Sequence, residues 1–187
     1  MNKGLIALGA VVVVIIFILG GAISLYNGLK EAEISVDASY GQVENQMQRR
    51  SDLIPNLVNT VKGYDVHEKA VIEEVVNARA KLAGAQGVEQ MDAANTELTG
   101  ALGRLFAIAE AYPDLKANTQ YLELMRELSG SENRIAVARR DYNEAVREYN
   151  VRISTFPGMF LAGFMNMTQK PQFKAKEGAD AVPEVKF

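Results

Sequence analysis

Residues 121–156 read YLELMRELSGSENRIAVARRDYNEAVREYNVRISTF and give the strongest indication of the fold class. Their apolar positions recur in alternating steps of four and three residues, the spacing of a helix face that packs along a long partner helix. The positions are Tyr121, Met125, Leu128, Ile135, Tyr142, Val146, Tyr149, Ile153 and Phe156, with charged residues at Glu132 and Arg139. The register continues across Ser129-Gly130-Ser131, so we predict one helix over residues 116–155.

The same spacing predicts three helices upstream, over residues 29–62, 65–83 and 89–111. The apolar face of the first comprises Val36, Tyr40, Val43, Met47, Ile54, Leu57 and Val61, with Arg50 as a charged exception. Pro55 leaves two interpretations open, a kink in one continuous helix or a new helix that Ser51 and Asp52 cap. Asp65-Val66-His67-Glu68 resembles a capping box for the second helix.

The lengths of these helices and their short connections predict an all-α fold. Tight connections make neighbouring helices antiparallel. The first and fourth helices are longer than the middle two. We therefore expect residues 29–156 to form an antiparallel four-helix bundle, with long first and fourth helices that extend from one end as a two-helix stalk.

Residues 4–25 contain no charged side chain and predict a transmembrane helix. As a helix they are about 33 Å long, enough for a hydrocarbon core of about 30 Å. Tyr26 and Lys30 follow as interfacial residues. A cleaved signal peptide is the alternative, with a loose cleavage site at Ala22-Ile23-Ser24, but the apolar run is longer than the usual signal core. We therefore assign residues 1–28 to a retained anchor.

Positive charges flank the span evenly, with Lys3 on one side and Lys30 on the other. The positive-inside rule therefore gives a tie. We expect the arrangement of an uncleaved signal anchor, in which the N-terminus is inside and the bundle lies on the extracytoplasmic side.

Two segments follow the bundle. Residues 157–167 are strongly apolar but too short to span a bilayer. They either contact the membrane surface or a neighbouring subunit, or fold back onto the core of the bundle. The candidate contact residues are Phe156, Met159, Phe160, Leu161 and Phe164. Residues 168–187 form a polar C-terminal tail, which we interpret as solvated.

A Tyr-Asn pair occurs twice at an interval of seven residues, at Tyr142-Asn143 and Tyr149-Asn150. Heptad spacing places both tyrosines on the packed face of the helix and both asparagines beside them. We expect the rings to fill the core of the stalk, with the hydroxyls and amides hydrogen-bonded; a ligand site is the alternative.

Arg50, Glu132 and Arg139 occupy positions where the pattern predicts apolar side chains. An unpaired charge there would cost several kcal/mol, so each needs a partner. We expect a buried ionic layer that fixes the helix register. A site for an anionic lipid head group or for the carboxylate of a partner is the alternative.

The composition excludes several kinds of chemistry. The chain has no Cys, which excludes disulfides and thiolate metal sites, and its single histidine, His67, excludes multi-histidine metal sites. His67-Glu68 begins like a zinc-protease motif, but Val71 stands where the second histidine belongs. The net charge of −3 gives no attraction to nucleic acid. We predict no catalytic residues, metal or cofactor, although the 23 acidic residues leave a carboxylate-dependent hydrolase formally open.

Several blocks of sequence resemble the LemA family of bacterial membrane proteins. Three of them are RRSDLIPNLV at 49–58, EAYPDLKAN at 110–118 and NRIAVARRDYN at 133–143. The resemblance covers about residues 1–167, and departs from the family between Leu122 and Leu128, where a Gln-rich stretch is expected. It implies one N-terminal span in the bacterial plasma (inner) membrane, a helical bundle and no settled enzymatic activity.

We predict a membrane-anchored helical scaffold or adaptor of the bacterial cell envelope, acting through homo-oligomerisation and not as an enzyme. Small residues in the anchor, Gly20 and Ser24, would let neighbouring spans approach closely. The expected partners are membrane lipid and further copies of the chain, with another membrane protein as a further candidate and no nucleic acid. An accessory or regulatory subunit of a membrane enzyme or protease is the alternative.

Overall fold

The computed structural model describes residues 3–64 and 68–174, and this part of the chain is helical without any strand. The prediction of an all-α fold is therefore confirmed. The helices are α1 (Lys3–Lys62), α2 (Lys69–Gly84), α3 (Gly87–Ala109), α4 (Pro113–Lys116), α5 (Thr119–Ser154) and α6 (Gly158–Phe164). His67 and most of the expected capping box lie outside the described residues.

The helix boundaries differ from the sequence pattern in two places. The anchor and the first bundle helix are one continuous helix, α1, which also passes through Pro55. The short helix α4 occupies the position where the sequence indicated only a break, because Pro113 stands in its first turn, where a missing N–H costs no hydrogen bond. Helix α5 continues through Ser129-Gly130-Ser131.

The chain divides into two compact units. Among the described residues, the first contains Lys3–Ser39 and Glu144–Lys170, and the second contains Tyr40–Asn143 and Pro171–Lys174. In the second unit three pairs of helices contact each other in antiparallel directions. The contacts are Tyr40–Tyr142 and Arg49–Glu127 between α1 and α5, Glu74–Arg104 and Lys81–Glu97 between α2 and α3, and Asp92–Arg139 and Thr99–Glu132 between α3 and α5.

Pro55 disturbs the hydrogen bonding of α1 in the second unit. A proline has no backbone N–H, so the carbonyl of Ser51, four residues earlier, loses its usual helical donor. Ser51 is buried, where an unpaired carbonyl is costly. The Nε of Arg79 on α2 donates to this oxygen at 3.0 Å. The packing of α2 on α1 therefore compensates for the proline.

In the first unit, the apolar stretch of α1 is exposed along its length, from Leu8 to Ile23. Its mean hydropathy reaches 2.8 over 18 residues, and its length and composition suit a membrane span. Beyond this stretch α1 becomes partly buried, beginning with Leu29. The other buried residues of this unit lie on all three of its helices and include Ala32, Val36, Val146, Tyr149, Ile153 and Ala162.

Candidate functional site

A buried polar cluster lies in the second unit, where α1, α3 and α5 meet. Arg50 is only 3% exposed. Its Nη1 donates to Oδ1 of Asn95 at 2.7 Å and to the carboxylate of Glu132. The hydroxyl of Thr99 approaches the same carboxylate at 3.5 Å. Three helices therefore share one charge-assisted hydrogen-bond network.

Burial makes the positive charge of Arg50 costly. Desolvation lowers the pKa of Arg50, and the attraction of the Glu132 carboxylate opposes this effect. The Nε of Arg50 is buried without a hydrogen-bond acceptor. Arg50 is therefore electrostatically paired, but its hydrogen bonding is not saturated.

Arg139, the third charged residue of the sequence pattern, lies in different surroundings. Its Nη2 pairs with Asp92 of α3 at 2.9 Å, and both side chains are mostly buried. The same nitrogen donates to the backbone carbonyl of Lys174 at 2.9 Å. The structure thus brings Arg50 and Glu132 together and places Arg139 at a second site, beside the C-terminal segment.

Asn143 holds one residue of that segment by both of its backbone groups. The Oδ1 of Asn143 accepts the N–H of Phe173 at 2.9 Å, and its Nδ2 donates to the carbonyl of Phe173 at 2.9 Å. The hydroxyl of Tyr142 donates to the carbonyl of Pro171 at 3.0 Å. Two strands of an antiparallel sheet exchange the same pair of bonds at each hydrogen-bonded position.

The ring of Phe173 fills a gap beside α5 and is only 4% exposed. It meets the ring of Tyr142 edge-on at 5.3 Å between centroids, and Cζ of Arg139 lies 4.9 Å from its centroid. Both geometries are favourable for an aromatic side chain. We call Arg139, Tyr142 and Asn143 the Phe173 site.

The first unit contains the same arrangement at the other Tyr-Asn pair. Asn150 accepts the N–H of Lys170 and donates to its carbonyl, both at 2.9 Å. The hydroxyl of Tyr149 donates to the carbonyl of Thr168 at 3.2 Å. Lys170 reaches Asp37 of α1 with its Nζ at 2.6 Å and lies over the ring of Tyr149 at 5.5 Å.

The sequence interpretation placed both Tyr-Asn pairs on one helix face and did not find their acceptors. It interpreted the tail as solvated, whereas its described part, residues 168–174, is held against α5. The available signal was Phe173, the one aromatic residue of the stretch 168–174. A single apolar residue has no periodicity, so pattern analysis could not assign it a face.

Helix α6 presents an apolar surface in the first unit. Phe156, Phe160 and Phe164 are 78%, 62% and 87% exposed, and Met159 is also exposed. The rings of Phe156 and Phe160 contact each other edge-on at 6.0 Å. Leu161 is half-buried, and Gly158 and Ala162 face the interior. We call Phe156, Met159, Phe160 and Phe164 the α6 surface.

The described residues contain no cluster of metal-ligating side chains. In residues 3–64 and 68–174, no three His, Asp or Glu side chains are close enough to hold a metal ion. The sites present are a buried ionic network, two sites that hold backbone and an exposed apolar surface. They suit packing and association.

The all-helical fold and the exposed apolar N-terminal stretch define a membrane-associated helical protein. The sequence model of the LemA family matches residues 39–187, so the chain belongs to the LemA family, as its motifs indicate. The family assignment covers both Tyr-Asn pairs and the α6 surface.

Several named proteins are similar in sequence to this chain, and one of them is a LemA protein. Magnetosome protein MamQ 2 of Paramagnetospirillum magneticum is 25% identical over 181 residues, 83% of this chain and 66% of the relative. Magnetosome protein MamQ of Magnetospirillum gryphiswaldense is 28% identical with the same coverage. Protein LemA of Metamycoplasma hominis is 24% identical over 155 residues, 81% of this chain and 69% of the relative. The chain thus spans about two thirds of the length of these relatives, and none of their names denotes an enzyme.

Proposed function

We propose that this protein is a membrane-anchored scaffold or adaptor of the bacterial cell envelope, which acts through homo-oligomerisation and carries out no catalysis. The observation that supports this proposal is the position of the α6 surface within the first unit. It lies beside the residues of α1 that directly follow the apolar stretch. A large exposed aromatic surface there is suited to lipid and to neighbouring protein.

Two contacts relate the end of α5 and the start of α6 to the end of the apolar stretch. The Nη1 of Arg152 donates to the carbonyl of Gly28 at 2.9 Å. A Cβ on Gly158 would lie 3.7 Å from Cδ2 of Leu29, so the start of α6 packs against this turn of α1. Gly28 is only three residues beyond Leu25, the last residue of the 4–25 stretch that is predicted to span the membrane. If α1 spans the bilayer, α6 therefore begins at the level of the membrane interface.

The spacing of the phenylalanines fits an interfacial helix. Phe160 and Phe164 are four residues apart, which places them on one side of α6, and the ring of Phe156, just before the helix, contacts that of Phe160. Each buried phenylalanine contributes roughly 1.5–3 kcal/mol when it leaves water. We assign membrane lipid as the first partner of this surface, and we place the helical units on the extracytoplasmic side.

The surface of α1 supports the proposal of homo-oligomerisation. A Cβ at Gly20 or Gly21 would meet no neighbouring atom, so this side of the span is open to a second helix. Small residues at a spacing of four, Gly20 and Ser24, favour close approach of spans in lipid. Identical chains generally associate with rotational symmetry, so we expect a ring around an axis normal to the membrane.

The membrane contact can be tested with single cysteines, because the chain contains none. A fluorophore is attached at Phe160→Cys or, as a control, at Ile34→Cys in the full-length chain reconstituted in phosphatidylcholine–phosphatidylglycerol vesicles. Ile34 is an exposed apolar residue on α1, about 9 Å beyond Gly28 along the helix. We expect lipid-borne quenchers to reach the label at Phe160 and aqueous iodide to reach the label at Ile34. Equal quenching of both labels by iodide would contradict the membrane contact.

The alternative of an accessory subunit predicts a different composition of the purified complex. Mild detergent extraction followed by mass measurement distinguishes the two. Multiples of one chain support the scaffold, and a stoichiometric foreign protein supports the accessory subunit.

A further inference from the structure

The Phe173 site recognises its occupant in the manner of a peptide-binding site. Asn143 satisfies both backbone groups of a single residue, as a neighbouring β-strand would. Tyr142 and Arg139 contact the aromatic ring of the same residue. In recognition of extended peptides, backbone bonds supply affinity and a side-chain pocket supplies selectivity. Both parts are present here within one turn of α5.

The segment in this site is attached to α5 by few interactions. From Pro171 to Lys174 it has neither helical nor strand structure. Besides the bonds to Asn143 and Tyr142, Nε2 of Gln172 donates to the carbonyl of Asn143 at 3.0 Å, and Arg139 donates to Lys174. A segment with one buried ring and a few hydrogen bonds opens at much lower cost than a whole domain. The site therefore exchanges its occupant more easily than the helices unfold.

We infer that the Phe173 site is a docking site for an extended peptide with an aromatic side chain, and that its ligand in the membrane is the segment 171–174 of a second copy of this chain. This inference rests on the proposed homo-oligomer and names the contact that joins its copies. Each copy would donate its own segment and accept that of a neighbour. No new contact has to be formed, because the exchanged segment makes the same hydrogen bonds and ring contacts.

Two physical arguments make a second copy a suitable donor. The contacts involve backbone atoms and a ring that every copy carries, so exchange is neutral in contact energy, as in domain swapping. A membrane anchor would also confine the copies to one plane, which raises the effective concentration of the segment near each site. Both make an exchanged assembly accessible without a change in the helices.

Complementary variants of the full-length chain test the exchange. The acceptor variant, Phe173→Ala, keeps the site and loses the ring that fills it. The donor variant, Asn143→Ala, keeps Phe173 and loses the bonds that hold its backbone. Each is labelled with a different fluorophore and reconstituted in phosphatidylcholine–phosphatidylglycerol vesicles, and association is measured by energy transfer. We expect transfer in the acceptor–donor mixture to be at least threefold higher than in acceptor–acceptor or donor–donor mixtures.

Wild-type self-association in the same vesicles tests the proposed oligomer separately. Equal transfer in all three variant mixtures, together with wild-type association, would overturn the exchange and leave the homo-oligomer intact. Loss of wild-type association would contradict the homo-oligomer itself, whatever the mixtures show. Circular dichroism of both variants at the start of the experiment verifies that their helices are intact.

A peptide provides a second measurement that does not depend on oligomers. A fluorescent peptide with the sequence of residues 168–174 is titrated against the acceptor variant. We expect saturable binding, and at least tenfold weaker binding when the phenylalanine of the peptide is replaced by alanine. The double variant Asn143→Ala/Phe173→Ala is the matched control and should lose the peptide. Equal binding to the acceptor and the double variant, or equal binding of both peptides, would overturn the assignment of this site.

Discussion

Arg79 donates a hydrogen bond from Nε to the backbone carbonyl of Ser51, 3.0 Å away. The bond joins the side chain of α2 to the main chain of α1, at the carbonyl that Pro55 leaves without its helical N–H. A proline in a helix interior usually costs about 3 kcal/mol or more. Here a neighbouring helix supplies the missing donor, so part of that cost is recovered through tertiary packing.

This relationship predicts an energetic coupling between Arg79 and Pro55. Arg79→Ala should lower the free energy of unfolding by about 1–3 kcal/mol, because it leaves a buried carbonyl unpaired. With Pro55→Ala present, the carbonyl of Ser51 regains its helical donor, and Arg79→Ala should cost less. A double-mutant cycle on the detergent-solubilised full chain measures the coupling by denaturation. Arg104→Ala, which breaks an exposed pair with Glu74, is the control. An equal cost of Arg79→Ala in both backgrounds would contradict the mechanism.

The Arg50–Glu132 pair predicts a large penalty for removing one partner alone. Arg50→Ala should cost about 3 kcal/mol, near the lower end for a broken buried pair, since the side chain of Glu132 is 34% exposed and keeps some hydration. Replacing both residues, as Arg50→Met with Glu132→Leu, should restore much of the stability, because no charge is left unpaired. Denaturation midpoints of the two single variants and the double variant provide the measurement. If the double variant loses as much stability as the two single variants together, the broken ion pair is not the cause of their instability.

Position 158 requires a glycine because the start of α6 closely approaches the backbone at the end of α5. A Cβ at this position would lie 2.1 Å from the carbonyl oxygen of Arg152, far inside van der Waals contact. Gly158→Ala should therefore displace α6 or destabilise the first unit by roughly 1–3 kcal/mol. Gly163 lies in the same helix, and a Cβ there would meet no atom within 4 Å, so Gly163→Ala is a matched control. The quenching of a label at Phe160→Cys reports displacement of the helix, and equal behaviour of both variants would contradict this prediction.

The raised pKa of Tyr121 predicts that the protein loses stability at alkaline pH. Burial, and to a smaller extent the Glu110 carboxylate, raise the pKa of Tyr121 to about 12 from a usual value of 10.0. The unfolded chain therefore loses this proton first, and the contribution of Tyr121 to stability is full below pH 10 and disappears as the pH rises to about 12. Tyr121→Phe lacks this titration, so its denaturation midpoint should fall less than that of the wild type between pH 9 and pH 11.5. Parallel declines of the two proteins would contradict the assignment.

Periodic features of this fold could be predicted from the sequence because they are local. Helix α5 passes through Ser129-Gly130-Ser131 as its four-three register indicates, since a helix face repeats at a fixed angle whatever it packs against. Two interpretations of Pro55 stayed open, a continuous helix or a new one. The choice between them depends on the hydrogen bond from Arg79, which lies on a different helix, α2. Local pattern does not contain that information.

Partners of polar groups were the part that the sequence could not provide. It grouped Arg50, Glu132 and Arg139, and the structure brings only the first two together, with Arg139 paired to Asp92. The choice between acidic residues depends on the rotation of α3 and α5 about their axes, which an apolar stripe fixes only approximately. The acceptors of Asn143 and Asn150 are backbone atoms, which no side-chain pattern reveals.

The hold of Asn143 on Phe173 also determines when a protease can cut there. Proteases bind substrates as extended strands and use the same backbone N–H and C=O groups that Asn143 already occupies. Cleavage near Phe173 therefore requires the segment to leave its site first. When opening is fast relative to cutting, the digestion rate follows the fraction of time for which the segment is detached. The rate of limited proteolysis in intact membranes thus measures how often this segment is detached. Digestion is slow while the segment is bound and fast when it is displaced.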